Sequence, residues 1–222
     1  MIRHAIRKLR LAKRKAALAN GGVTVIAKDC TGAMLLHDLG LRFDTPTVNL
    51  FFTAGDFVKL SSRLEHYIGA ELGEDTTANE PFPVGLLDDV RVYFRHYKTF
   101  ATARQKWLER CKRIHWDNLR FLMTDGCGSS EALVHEFDAL PLKHKVLLTC
   151  RDYRDVQCAV KMNIPGRDGK DLGAPELFRY KGLFLADKVI DDLDYISFLN
   201  GTCNMSARTP RWLARNKREG KD

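Results

Sequence analysis

Three short apolar runs constrain this chain more than any other feature. Residues 23–27, 119–124 and 145–150 are rich in Val, Leu, Ile or Phe, and each stops at a small polar turn. Helical spacing resumes soon after the first two. A strand that repeatedly hands over to a helix builds a parallel sheet with helices on both faces. The predicted fold class is therefore α/β, a mostly parallel sheet flanked by helices. An apolar content of 45% over 222 residues is enough to fill such a core. Sheets of this kind take ligands beyond the carboxyl ends of their strands. Cys30, Asp125 and Thr149-Cys150 all fall just past an apolar run, so they are expected to share one edge.

The other elements follow from period and turn chemistry. Residues 48–52 read as a strand. Phe57, Leu60, Leu64, Tyr67, Ile68 and Leu72 read as one helix. Asp88-Asp89 sits between two apolar runs and predicts a hairpin. Thr99 is placed to cap the next helix, and Ser129 or Ser130 the one after 125–128. Residues 158–162 suggest a further strand, 164–178 a polar loop, and 185–199 a last helix. Asn118 is expected to fix the connection into the strand at 119 by side-chain hydrogen bonds.

Charge separates the ends from the middle. Residues 1–19 hold seven Lys/Arg and no acid, and residues 208–222 carry +4; the whole chain carries +8, which leaves −3 for residues 20–207. A mildly acidic body argues against nucleic acid as a partner. The expected organisation is a basic amphipathic helix over 1–20, one α/β domain over 21–201 and a basic tail over 202–222. Ile2, Ala5, Ile6, Leu9, Ala12 and Ala16 form one stripe of that helix. Such a helix either lies on an anionic membrane surface or packs its stripe on the domain. Trp212 and Leu213 in the tail offer a second interfacial contact or belong to a frayed end. No run of about 18 apolar residues occurs, and the charged start lacks the apolar core of a secretory signal. The expected location is cytoplasmic, peripheral on the inner face of the cell membrane if the helix binds there. Six cysteines without a CxxC pair predict neither a zinc ribbon nor a disulfide framework, and no metal site is expected.

Cys30 stands where an apolar strand meets a helix. A helix start offers free N–H groups and a positive partial charge, which lower a thiol's pKa and can hold an oxyanion. Gly32 leaves room for a ligand against the backbone. Lys28, two residues before Cys30, would push the thiol the same way. A thiol nucleophile also needs a base. His96, at the end of an apolar strand, is the candidate; His37 lies about two helical turns from Cys30, and His115, His135 and His144 are further histidines. Asp29 and Asp38 are candidate orienters. The competing reading makes Cys30 a packing residue and each histidine a surface or core group.

The stretches DCTGAMLLHDLGLRFDTPTVNLFF, PVGLLDDVRVYFRHYKTFATARQKWLERCKRIHWDNLRFLMTD, FDALPLKHKVLLT and DYISFLNG resemble the domain-of-unknown-function family 1919. Its members are often labelled exopolysaccharide or capsular polysaccharide biosynthesis proteins. The resemblance covers roughly residues 20–201, with the first helix and the tail outside it. The family's Ser-Asn-Asn-Cys-Trp-Gly-Gly pattern is matched here at Cys30 and Gly32 only. Its Asp-Arg-Asp-Gly-Cys turn is Asp125-Gly126-Cys127 in this chain. A strand ending in Asn-Cys is also similar to capsule-biosynthesis proteins regarded as acyl-coenzyme A-dependent acetyltransferases.

Together these imply a transferase that moves an acyl group, from acyl-coenzyme A as donor, to a surface glycan or a lipid-linked sugar precursor. Cys30 and His96 are its candidate catalytic residues, and Gly32, His37, Asn49, Lys98 and Asp125 its candidate substrate-binding residues. Arg110 and Arg113 could hold phosphates or form a solvated helix face. The alternative is a non-catalytic accessory that binds a glycan or nucleotide sugar at the membrane surface, with Tyr97, Trp107 and Trp116 as sugar platforms.

Overall fold

A computed structural model describes residues 2–19 and 21–202. The basic tail with Trp212 and Leu213 lies outside the described residues. Helix α1 (Ile2–Ala16) comes first, then β1 (Thr24–Ala27) and α2 (Thr31–Asp38). Helices α3 (Ala54–Ser62) and α4 (Leu64–Gly69) precede three short strands, β2 (Leu72–Glu74), β3 (Val84–Leu87) and β4 (Val90–Tyr93). Helix α5 (Phe100–Cys111) leads to β5 (Leu119–Thr124), α6 (Glu131–Ala139), β6 (Lys145–Thr149) and β7 (Ala159–Lys161). Helix α7 (Ala174–Leu177), a 3-10 turn (Val189–Asp192) and α8 (Tyr195–Asn200) complete the described chain.

The predicted α/β class holds. A four-stranded, fully parallel sheet runs β1-β5-β6-β7, and β2-β3-β4 form a separate antiparallel sheet. Ile26, Phe121, Met123 and Leu147 point into the core shared with α3, α5, α6 and the small sheet. Val25, Ala27, Leu122, Val146 and Leu148 point into the core shared with α2, α7 and α8. Strand alternation thus gives each face its own apolar set. β1 is an edge strand, and its free edge is covered. Thr45 and Thr47 hydroxyls donate to Val25 O, Ala27 N donates to Thr47 Oγ1, and Phe52 N donates to Lys28 O. That blocks pairing with another chain along the edge.

Several expectations need correction. Residues 48–52 are no strand: Asn49 has φ +62°, and a single bridge joins Phe51 to Tyr93. The helix expected over 57–72 breaks at Arg63, whose ψ of +48° is not helical, giving α3 and α4. The helix expected over 185–199 is a 3-10 turn followed by α8, which starts at the Asp194 cap. Thr99 and Ser130 cap α5 and α6 by accepting from Thr102 N and Leu133 N. Asn118 holds the entry to β5 through Gly22 O and the Arg120 guanidinium.

Helix α1 packs on the domain, but by the opposite face to the one expected. Arg7 is buried and pairs with Asp38 (2.5 Å) and Asp191 (2.7 Å). Arg14 pairs with Asp191 and bonds the Tyr195 hydroxyl, and Arg10 pairs with Asp187. The apolar stripe faces outward.

Candidate functional site

Parallel strands direct their chain exits to one edge, and the side chains just past β1, β5 and β6 meet there. The Thr124 hydroxyl donates to Asp29 Oδ2 at 2.6 Å, tying the β5 end to the β1 exit. The Thr149 hydroxyl donates to Asp125 Oδ2 at 2.7 Å, tying β6 to the β5 exit. Arg151 Nη1 forms an ion pair with the same oxygen at 2.6 Å, and its Nη2 bonds Asp171 at 2.8 Å. Asp125 is fully buried, and its other oxygen, Oδ1, accepts no well-formed hydrogen bond. The Tyr153 phenol is near enough for the carboxylate to add to a pKa already raised by burial. Hydrogen bonds to Asp171 and Asp125 push the Arg151 guanidinium further up.

Lys28 is the buried cation of this edge. Its Nζ donates to Gly126 O at 2.6 Å, and burial lowers its pKa against the pull of Asp29, Cys127, Asp125 and Asp171. It therefore points to the turn after β5, beside Cys127, and the charges that move Cys30 come from Asp29 and Arg95. Gly126 lets the 172 strap approach: a Cβ there would meet Leu172 O at 2.7 Å.

Cys30 is the N-cap residue of α2 and half-buried, with Sγ 3.9 Å from Leu50 O. Its thiol is raised, not lowered. Burial is the largest cause, Asp29 adds to it, and Arg95 opposes both and loses. The helix-start argument fails here because burial outweighs it and a neighbouring charge adds to burial. Asp29 Oδ1 takes the Thr31 N–H at 2.8 Å and sets a negative charge beside the sulfur.

The remaining candidates divide by position. Asn49 is exposed on the segment that contacts Cys30, between Val48, whose carbonyl accepts from Tyr97 and Arg110, and Leu50. His96 is exposed on the turn after β4, next to Arg95, and no hydrogen bond joins it to Cys30 among the described residues. Gly32 is buried under β1: a Cβ there would meet Ala27 Cβ at 2.6 Å, so the missing side chain serves close helix–strand packing. His37 is exposed near the far end of α2, in a groove of about 360 Å³ with His4, Lys8, Lys15, Tyr180 and Lys188. Asp38 is held by Arg7 and Lys188 and orients no thiol. Lys98 lines another cleft, of about 550 Å³, with Glu74, Asp75 and Glu80. The structure therefore brings Cys30, Asn49 and Asp125 to the carboxyl edge region and leaves His37 and Lys98 elsewhere. Trp107 is core, Trp116 is exposed, and Arg113 reaches Phe43 O. Among the described residues no group of three His, Cys, Asp or Glu could hold a metal.

Lys28, Arg151 and Cys127 were not singled out as site residues in the sequence. Their common signal is position: each lies within three residues of an apolar strand's carboxyl end.

Among known proteins, the family described as Domain of unknown function (DUF1919) matches residues 1–200. The match therefore includes the first helix, which the resemblance had left outside. A protein of Haemophilus influenzae (strain ATCC 51907 / DSM 11121 / KW20 / Rd), described as "Uncharacterized protein", is 35% identical over 183 residues, 82% of this chain and 86% of its own length.

Proposed function

The chain belongs to the DUF1919 family, and from that premise we propose that it serves exopolysaccharide or capsular polysaccharide biosynthesis by holding a glycan or lipid-linked sugar precursor at the carboxyl edge of its parallel sheet. The observation that carries this reading is Asp125. A fully buried carboxylate keeps one oxygen without a good donor at the place where α/β sheets take ligands. A sugar hydroxyl is a donor of the right kind, and Arg151, half out of the fold and bridging to Asp171, is placed to meet a phosphate or to swing aside. Isothermal titration with a panel of nucleotide-diphosphate sugars and soluble precursor analogues tests it. A ligand that binds the wild type should lose at least about tenfold in affinity in Asp125→Asn. Unchanged affinity for every binding ligand would overturn the assignment of the site.

Acyl transfer is the chemistry proposed for the site: the Cys30 sulfur takes the acyl group from acyl-coenzyme A, releasing coenzyme A as its thiol, and a glycan hydroxyl then takes the acyl from Cys30, whose sulfur regains a proton. What favours it is position: a half-buried thiol at the exit of β1, on the edge where Asp125 lies at the exit of β5. The raised thiol means that a base, with His96 the candidate, must act when substrate is bound. Incubation with radiolabelled acetyl-coenzyme A should leave a hydroxylamine-labile label that Cys30→Ser abolishes. Label that survives Cys30→Ser, or none in the wild type, would leave the non-catalytic accessory role.

A further inference from the structure

Helix α1 is docked back to front. Arg3, Arg7, Leu11, Arg14 and Leu18 turn toward the body, at the spacing of one helix face. Arg7 finds Asp38 and Asp191 there, Arg14 finds Asp191 and the Tyr195 hydroxyl, and Arg10, at the edge of that face, reaches Asp187. An amphipathic helix on a globular body ordinarily does the reverse, burying its apolar stripe and solvating its charges. Here Ile2, Ile6 and Leu9 are 79%, 42% and 62% exposed. Ala5, Ala12 and Ala16 lie exposed along the same side. Lys8 flanks the stripe and Lys13 lies on it, one turn past Leu9; neither makes an ion pair among the described residues.

A second apolar element sits next to it. The segment 183–185 exposes Leu183, Phe184 and Leu185, with Phe184 at 88%. Arg3 donates to Leu183 O at 2.9 Å, and Arg7 to Ala186 O, so this segment is held against the first turns of α1, beside Ile2 and Ile6. Six large apolar side chains from two distant parts of the sequence thus share one open surface that also carries lysines. No helix among the described residues is long and apolar enough to cross a membrane.

We propose that the outward face of α1 and the 183–185 segment form one surface that lies on an anionic lipid bilayer. The pattern is that of an interfacial helix: an apolar stripe to enter the acyl boundary, with cations at its margin to meet the headgroups. Charge selects the occupant. Arg7, Arg10 and Arg14 are paired with acids of the body, but Arg3, Lys8, Lys13 and Lys15 make no ion pair among the described residues, so a second copy would bring like charge against like. Anionic lipid is complementary along the whole margin. Docking through arginines holds the helix preformed, so lipid binding need not order it first. The proposal does not depend on the ligand site at the sheet edge.

Flotation of the full chain with vesicles tests it. Binding is expected to vesicles of phosphatidylcholine mixed with phosphatidylglycerol, to weaken with added salt, and to be weak with phosphatidylcholine alone. Phe184→Asp and Leu9→Asp should each reduce it by about tenfold or more. Both side chains are exposed, so thermal unfolding should stay at the wild-type midpoint, and that measurement separates lost binding from lost fold. The basic tail remains in every variant, so its own attraction cancels. Equal binding to neutral and anionic vesicles would overturn the proposal. So would unchanged binding in both aspartate variants, or a dimer that Leu9→Asp disperses in a protein that ignores vesicles.

Discussion

Two strand exits at the same edge use similar residues and build different structures. After β1 come Lys28, Asp29 and Cys30; after β5 come Asp125, Gly126 and Cys127. At the first exit the helix starts at once. Cys30 already has helical angles (φ −63°, ψ −7°), and Asp29 bonds the Thr31 N–H. At the second, Cys127 and Gly128 take positive φ (+51° and +78°), and α6 begins only at the Ser130 cap. The immediate start tucks Cys30 against Leu50 and leaves Asp29 half-exposed. The looser turn buries Asp125 completely and turns Cys127 out to solvent. The length of turn between strand and helix, more than the strand end itself, decides which residue of the trio is presented.

The largest expected effect tests the buried member. Asp125→Ala removes the acceptor of Thr149 and the partner of Arg151 in a fully buried place, and should lower stability by about 2–3 kcal/mol. Asp29→Ala removes one hydroxyl bond and one helix N–H bond at a half-exposed place, and should cost about 1–2 kcal/mol. Urea unfolding of the two variants reads the difference. Equal losses would mean that burial does not separate the two exits.

The thiols give a smaller and sharper contrast. Alkylation follows the thiolate fraction and access. Cys127 is exposed and should react fastest of the five described cysteines. Cys30, raised by burial and by Asp29, should react more slowly at pH 8. Burial pushes Cys111 up to about 12, so it should wait for unfolding. Asp29→Ala removes a charge that raises Cys30, so the Cys30 alkylation curve should move to lower pH while that of Cys127 stays. Movement of Cys30 to higher pH would show that Asp29 acts by holding the helix start rather than by its charge.

The legible parts of this protein are those written locally. Thr99 and Ser130 could be read as caps and Asp88-Asp89 as a hairpin, because spacing or neighbours within a few residues determine each. Strand position placed Cys30 and Asp125 at one edge for the same reason. The break at Arg63 carries no glycine or proline to mark it. The 48–52 segment reads as a strand because it is apolar throughout but for Asn49; Phe51 stacks on Tyr93 of β4 and Phe52 meets Phe57 of α3, and a single bridge forms in place of a ladder. Amphipathicity named two faces of α1 but not which one meets the body. That choice depends on Asp38, Asp187 and Asp191, which lie some 30 to 180 residues away, and no local pattern reports them. Two residues of separation along a strand set Lys28 and Cys30 on one side but name no partner for the ammonium, which is Gly126 O.

The smallest expected effect concerns that lysine. Lys28→Met keeps the length of the side chain and removes a buried charge. Gly126 O keeps a donor, the Ser129 hydroxyl at 2.9 Å, so the carbonyl is not orphaned. A buried charge replaced by an apolar group of similar volume is often neutral or stabilising. The variant should therefore lie within about 1 kcal/mol of wild type at pH 7, on the stable side. The pH dependence fixes the sign. The folded pKa of Lys28 is lowered below its ordinary value of 10.5, so between the two the unfolded chain binds the extra proton. Wild-type stability should then gain as pH rises through that window, by relief of the buried charge, and the methionine variant should lack that gain. The gap between the two proteins should close toward pH 10. A variant that loses more than about 2 kcal/mol at pH 7, with Cys127 newly protected from alkylation, would mean that the ammonium holds the second turn open and that the difference between the two exits rests on Lys28.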